Sequence, residues 1–108
     1  MQEREIERLL RDGVRQLGGK AYKWVSPGNA GVPDRIVVLP GGTVHFVELK
    51  NDGGRLTRLQ KVQQANLRGL DSEVVTLYGA DAVRAYLVQL EELIGNGTEA
   101  ASVSKVLH

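Results

Sequence analysis

The sequence predicts one small α/β domain built on a mixed sheet. Two observations carry that reading. Glycine pairs at Gly18-Gly19, Gly41-Gly42 and Gly53-Gly54 punctuate the chain at turns. The segments around them alternate between helical periodicity and short β-rich runs, in the order helix, three strands, helix, strand, helix. A hairpin followed by strands reached through helical crossovers requires both antiparallel and parallel pairing.

The first helix is predicted over residues 3–17, where Ile6, Leu10, Val14 and Leu17 form one apolar stripe, ended by Gly18-Gly19 as a C-cap. Residues 20–26, KAYKWVS, read as a strand, and residues 26–33, SPGNAGVP, as a loop. Residues 35–39, RIVVL, and 43–50, TVHFVELK, flank the tight turn Pro40-Gly41-Gly42 and read as a β-hairpin. A second helix over residues 58–70 has Leu59, Val62, Ala65 or Asn66, and Leu70 as its expected buried stripe. Residues 73–78, EVVTLY, are the fourth strand. Asp81 is the expected N-cap of a last helix that buries Val83, Tyr86, Leu87, Leu90 and Leu93 or Ile94. Residues 95–108 are small and polar without a sustained period and read as a flexible tail, which leaves 1–94 as the domain.

Composition narrows the class. A chain of 108 residues holds one modest core. Its 42% hydrophobic and 25% charged residues are ordinary globular values. Apolar runs such as Ile36–Leu39 are far too short to span a bilayer, and the charged start MQEREIER is not expected to be a secretory signal. Without cysteine there are no disulfides, thiol nucleophiles or thiolate metal sites, which fits a reducing, cytoplasmic setting. The net charge of +1 conceals an asymmetry: residues 1–68 carry +5 and residues 69–108 carry −4. A basic front half suits an anionic partner.

Asp34 opens the first hairpin strand, and Glu48 and Lys50 sit two apart near the end of the second, on one face by strand alternation. Counted from the turn, Asp34 lies seven residues before Gly41 and Glu48 six after Gly42, so the hairpin brings them together at one end of the sheet. A Pro-Asp turn pair or a solvent-facing E-x-K is commonplace alone; their coincidence across a hairpin is not. Two carboxylates suit a hard divalent cation that also takes water and phosphate oxygens. Such an ion neutralises a phosphodiester and activates bound water. Lys50 either orients that water and offsets developing charge or, deprotonated beside the cation, acts as a base.

These residues resemble the PD-(D/E)XK nuclease superfamily and, within it, the stand-alone phage-type VRR-NUC (virus-type replication-repair nuclease) domain. The likeness rests on SPGNAGVPDRIVVLPGG at 26–42, FVELK at 46–50 and GGRLTRLQ at 53–60, and it covers residues 3–87. It implies an αβββαβ core with a further helix and Mg²⁺- or Mn²⁺-dependent hydrolysis of DNA phosphodiesters. Asp34, Glu48 and the backbone carbonyl of Leu49 would be the metal ligands and Lys50 the catalytic lysine. The resemblance also implies a homodimer acting on branched DNA such as four-way (Holliday) junctions, in the cytoplasm, or the host cytoplasm for a phage protein. It further implies a first-helix glutamate at the site. Glu5 points away from the apolar stripe; Glu7, in the run Glu7-Arg8-Leu9-Leu10, is the first choice and Glu3 the second. Thr57-Arg58-Leu59-Gln60 fits a capping box, yet the resemblance has Gln60 order the active site.

Lys23 and Arg35 are the expected backbone contacts to DNA, with Arg55, Arg58, Lys20 and Lys61 as further cations, and Gly28 and Gly31 let backbone amides approach a phosphate. Trp24 is expected in the core, and His45 and His108 have no assigned role. A DNA-binding protein of this fold without turnover is the alternative; it predicts salt-sensitive junction binding and no cleavage.

Overall fold

The computed structural model describes the backbone of residues 2–107 and the side chains of residues 2–95. Its elements are α1 (Glu3–Gln16), β1 (Lys20–Lys23), β2 (Arg35–Val38), β3 (Val44–Lys50), α2 (Arg58–Gly69), β4 (Glu73–Tyr78) and α3 (Gly79–Leu107). The four strands form one sheet in the order β1-β2-β3-β4. β1 and β3 each run antiparallel to β2, and β4 is parallel to β3. The helix over residues 58–69 makes the crossover that parallel pairing requires. The mixed α/β architecture is the predicted one, with the strand ends trimmed by a few residues.

One face of the sheet carries the core. Ile6, Leu10 and Val14 of α1 and Val83, Tyr86 and Leu90 of α3 bury against Val37, Val47, Leu49 and Leu77. Gly13 lets the helices close, since a Cβ there would meet the Leu87 side chain. His45, given no role from sequence, shares a 2.8 Å hydrogen bond between its Nδ1 and the Tyr86 hydroxyl on this face.

The other face sets Glu48, Lys50 and Thr76 among Ile36, Phe46 and Val74, and α2 covers part of it. The predicted buried stripe of α2 is exposed instead: Leu59 is 55%, Val62 46% and Leu70 78% accessible. The buried residue of α2 is Gln64, whose Nε2 donates to Thr76 Oγ1 at 2.9 Å. Helical periodicity identifies a stripe but not the side that meets the protein. Here the sheet offers α2 a threonine and a glutamate, so amides face inward.

The last helix starts two residues before the expected cap. Gly79, at φ 83°, turns β4 directly into α3, and Asp81 lies in the first turn, accepting a 3.1 Å hydrogen bond from Arg84. Val83, Tyr86 and Leu90 are buried as expected, whereas Leu93 is exposed and Ile94 partly covered. The backbone of residues 95–107, expected as a tail, continues α3, and the side chains of residues 96–108 lie outside the described residues. Among the described residues, no helix is long and apolar enough to cross a membrane.

Candidate functional site

β3 supplies the centre of the site. Val47 and Leu49 point into the core, so alternation turns Phe46, Glu48 and Lys50 toward the α2 face. Arg35 is paired with Val47 in the β2–β3 ladder. One residue further, Asp34 comes opposite Glu48, as the turn count predicts. Glu48 is paired on its other side with Thr76 of β4. The Trp24 N–H donates to the Asp34 carbonyl at 2.9 Å, which extends the row to Trp24, Asp34, Glu48 and Thr76. Trp24 is half-buried with its ring centroid 5.2 Å from that of Phe46, so it flanks the site instead of filling the core.

Asp34 is held by the chain itself. The Leu49 N–H donates to its Oδ2 at 2.9 Å. The anchor fixes one carboxylate oxygen beside β3 and leaves the other without that constraint.

Glu48 is 1% exposed, and its Oε1 has no hydrogen-bond partner. Its pKa is pushed up from 4.5 to about 8. Burial is the leading cause, followed by the hydrogen bond between its protonated form and Asp34 and by the Asp34 charge; Lys50 pulls the other way, and Glu3 adds a smaller upward push. A buried acid next to a second acid, with one oxygen unsatisfied, is costly unless positive charge compensates it.

Gln60 caps α2 and also reaches Glu48. Thr57 caps α2 by accepting from the Gln60 N–H at 3.2 Å, and Gln60 Oε1 accepts from the Thr57 N–H at 2.9 Å. Its remaining amide nitrogen donates to Glu48 Oε2 at 3.3 Å. One side chain therefore joins the start of α2 to the buried acid.

The loop before β2 positions that start. Gly31, at φ 91°, lies so close to the first turn of α2 that a Cβ would stand 2.6 Å from the Leu59 carbonyl carbon. Gly31 packs protein backbone, in place of the phosphate approach expected from sequence. Gln63, which sequence reasoning passed over, donates from Nε2 to the Ala30 carbonyl at 3.3 Å. Its position three residues after Gln60 places both on one side of α2, which was the available signal. Gly28, at φ 83°, has open space around it.

The first-helix acids divide differently from the expectation. Glu7, the first choice, accepts from Arg35 Nε at 3.0 Å and from Arg35 Nη2. Arg35 also donates to the Ala21 carbonyl, and its side chain is only 12% exposed. That cation ties α1 to the sheet on the face opposite Asp34. Glu3, the second choice, is exposed at the start of α1 and its charge reaches Glu48. Among the described residues no three Asp, Glu or His side chains converge into one metal-ligating group, so two carboxylates are what the side chains assemble. Lys23, Arg55 and Arg58 are exposed, Lys23 on the α1 face of the sheet by strand alternation, opposite Glu48.

A mixed sheet with an aspartate on one strand, opposite a Glu-x-Lys on the next, defines a PD-(D/E)XK-like nuclease fold. A scan against profiles of known protein families finds no match. The chain is 46% identical over 81 residues to a protein named "Putative nuclease p44" from Acyrthosiphon pisum secondary endosymbiont phage 1, covering 75% of this chain and 87% of the relative. Among solved structures, one described as "VRR_NUC domain" superposes with a TM-score of 0.67 at 26% identity, covering 86% of this chain and 94% of that one. A second, described as "VRR_NUC domain protein", has a TM-score of 0.69 at 20% identity, covers 86% and 90%, and shares the fold. The chain belongs to the VRR-NUC nuclease family.

Proposed function

We propose that this domain is a divalent-cation-dependent DNA endonuclease, using Mg²⁺ or Mn²⁺, that hydrolyses phosphodiesters in branched DNA such as four-way junctions. The observation that carries the reading is Glu48: buried, with one oxygen orphaned, and beside Asp34. That donor set fits a hard cation, because carboxylate and carbonyl oxygens are its preferred ligands. Asp34, Glu48 and the Leu49 carbonyl would hold it. Glu3 is the better candidate for the first-helix acid, because Glu7 is engaged by Arg35. When bound, the cation would supply charge neutralisation at the phosphate and lower the pKa of a water.

The chain's own residues do the positioning. The Leu49 N–H orients Asp34, and the Gln60 amide holds Glu48 Oε2 so that Oε1 stays free. Lys50 places an ammonium on the same face, where it offsets negative charge on the phosphoryl oxygens and orients the attacking water. Arg55 and Arg58, exposed at the start of α2, are placed to contact the phosphate backbone without reading sequence.

A labelled four-way junction and a linear duplex, incubated with the protein and Mg²⁺ or Mn²⁺, test the reading. Cleavage of the junction is expected, with a loss of at least about 100-fold in Asp34→Ala. Equal cleavage by variant and wild type, or salt-sensitive binding without cleavage in either metal, removes the enzymatic reading. The same reading expects a homodimer, with two sites for two strands. Light scattering at working concentration, with and without DNA, should give twice the mass of 11.8 kDa, and a monomer under both conditions contradicts it.

A further inference from the structure

α1 carries a charged feature that the site does not use. Arg4, Arg8, Arg11 and Arg15 recur at i, i+4, i+7 and i+11, and all are exposed. At about 100° per residue they fall within one sector roughly 60° wide, in a stripe about 16 Å long. Arg11 and Arg15 form one wall of a groove of about 500 Å³. The edge strand β1 from Lys20 to Lys23 lines the other side together with the half-buried Arg35; alternation turns the Lys23 side chain to this face and those of Lys20 and Tyr22 to the other. β1 is the outer strand of the sheet, so the groove runs along a free edge. Arg11, Arg15, Lys23 and Arg35 present their charges to it, and among the described residues no carboxylate lines it.

The acids paired with these cations leave them available. Asp12 is shared by Arg11 at 3.4 Å and Arg15 at 3.6 Å, and all three side chains are well exposed. Such pairs are weak and exchange readily for a stronger anion. Glu7 neutralises Arg35 alone. What remains is a row of guanidinium groups about one helical turn apart. A duplex strand presents one phosphate per 3.4 Å of axis, or about five over the length of the stripe. By strand alternation Lys23 and Arg35 point to the α1 face, whereas Asp34 and Glu48 point to the α2 face. An anion in the groove is therefore not the one presented to Glu48.

We propose that the α1–β1 groove and its arginine stripe grip the phosphodiester backbone of a second DNA arm, outside the cleavage pocket. The inference rests on the nuclease reading for the identity of the substrate and adds how a branched one is distinguished from a linear one. Arg11→Ala/Arg15→Ala tests it, since both side chains are exposed and their paired acid is Asp12 alone. Binding to a labelled four-way junction and to a linear duplex of one arm's length is measured by anisotropy in EDTA, over a salt series. The variant is expected to bind the junction at least about tenfold more weakly, with the log–log salt slope reduced by about two. The linear duplex should lose less than about threefold. Unchanged junction affinity and slope, or equal losses on both DNAs, overturn the proposal. A melting temperature equal to that of wild type confirms that the variant is folded; should it fall, Arg11→Lys/Arg15→Lys must restore junction binding for the proposal to stand. Absence of cleavage in every metal, with the junction-selective loss present, would remove the catalytic reading and leave the groove standing.

Discussion

Replacing Glu48 by glutamine is expected to abolish cleavage and to stabilise the cation-free protein at pH 8. Burial and the neighbouring Asp34 push the acid's pKa up to about 8 in the folded protein, against 4.5 for a free glutamate. Below pH 4.5 both folded and unfolded chains carry the proton and nothing is lost. As pH rises from 4.5 to about 8 the unfolded chain releases it while the folded one retains it, so stability falls; above 8 the loss is complete. The ceiling is about 5 kcal/mol, from 1.4 kcal/mol per pKa unit. Glutamine keeps the shape, accepts from Gln60 through its oxygen and donates to Asp34 through its nitrogen, which fills the vacant hydrogen-bonding position. The variant's melting temperature in EDTA should exceed that of wild type by at least about 5 °C at pH 8 and by little at pH 4.5. Added Mg²⁺ or Mn²⁺ should raise the melting temperature of wild type and leave that of the variant nearly unmoved. Cleavage should fall at least about 10³-fold, because the neutral amide removes one of the two negative charges that hold a hard cation. A variant less stable than wild type at pH 8 without metal would contradict the electrostatic account.

Gly31→Ala is expected to unfold the approach of α2 to the site. Two costs combine. A Cβ at φ 91° sits in the left-handed region, worth about 1–2 kcal/mol. The same Cβ would lie 2.7 Å from the Leu59 carbonyl oxygen and 2.8 Å from the Gln60 nitrogen, and backbone of a capped helix cannot turn aside as a side chain can. The total destabilisation should be about 2–4 kcal/mol. Cleavage should drop at least about tenfold in the folded fraction, because displacing the Gln60 backbone withdraws its amide from Glu48. Gly42→Ala is the control: it has φ 91° as well, but nothing lies within 4 Å, so only the backbone strain applies. Chemical denaturation of both variants separates strain from contact; equal losses would remove the packing argument.

Much of this arrangement was legible in the chain because it depends on local rules. Strand alternation and a turn counted from Gly41-Gly42 were enough to set Asp34 against Glu48. The same alternation sorted Lys50 onto that face. The motif Thr57-x-x-Gln60 announced the cap. What escaped reading depends on long-range placement. The stripe of Leu59, Val62 and Leu70 has correct helical spacing, yet α2 turns another side to the sheet and buries Gln64 against Thr76. Glu7 and Glu3 are one turn apart on α1, and only the position of Arg35 separates their roles. Gly31 looked like a glycine for a ligand, because sequence does not show that a helix occupies the space beside it.

The three hydrogen bonds of Gln60 have a consequence for how the molecule fails. A helix end that would ordinarily fray independently is latched to the most deeply buried acid. The seating of α2 and the shape of the Glu48 pocket thus depend on one side chain. Damage far from the scissile bond, at Thr57 for instance, would then register as lost turnover before it registers as lost shape.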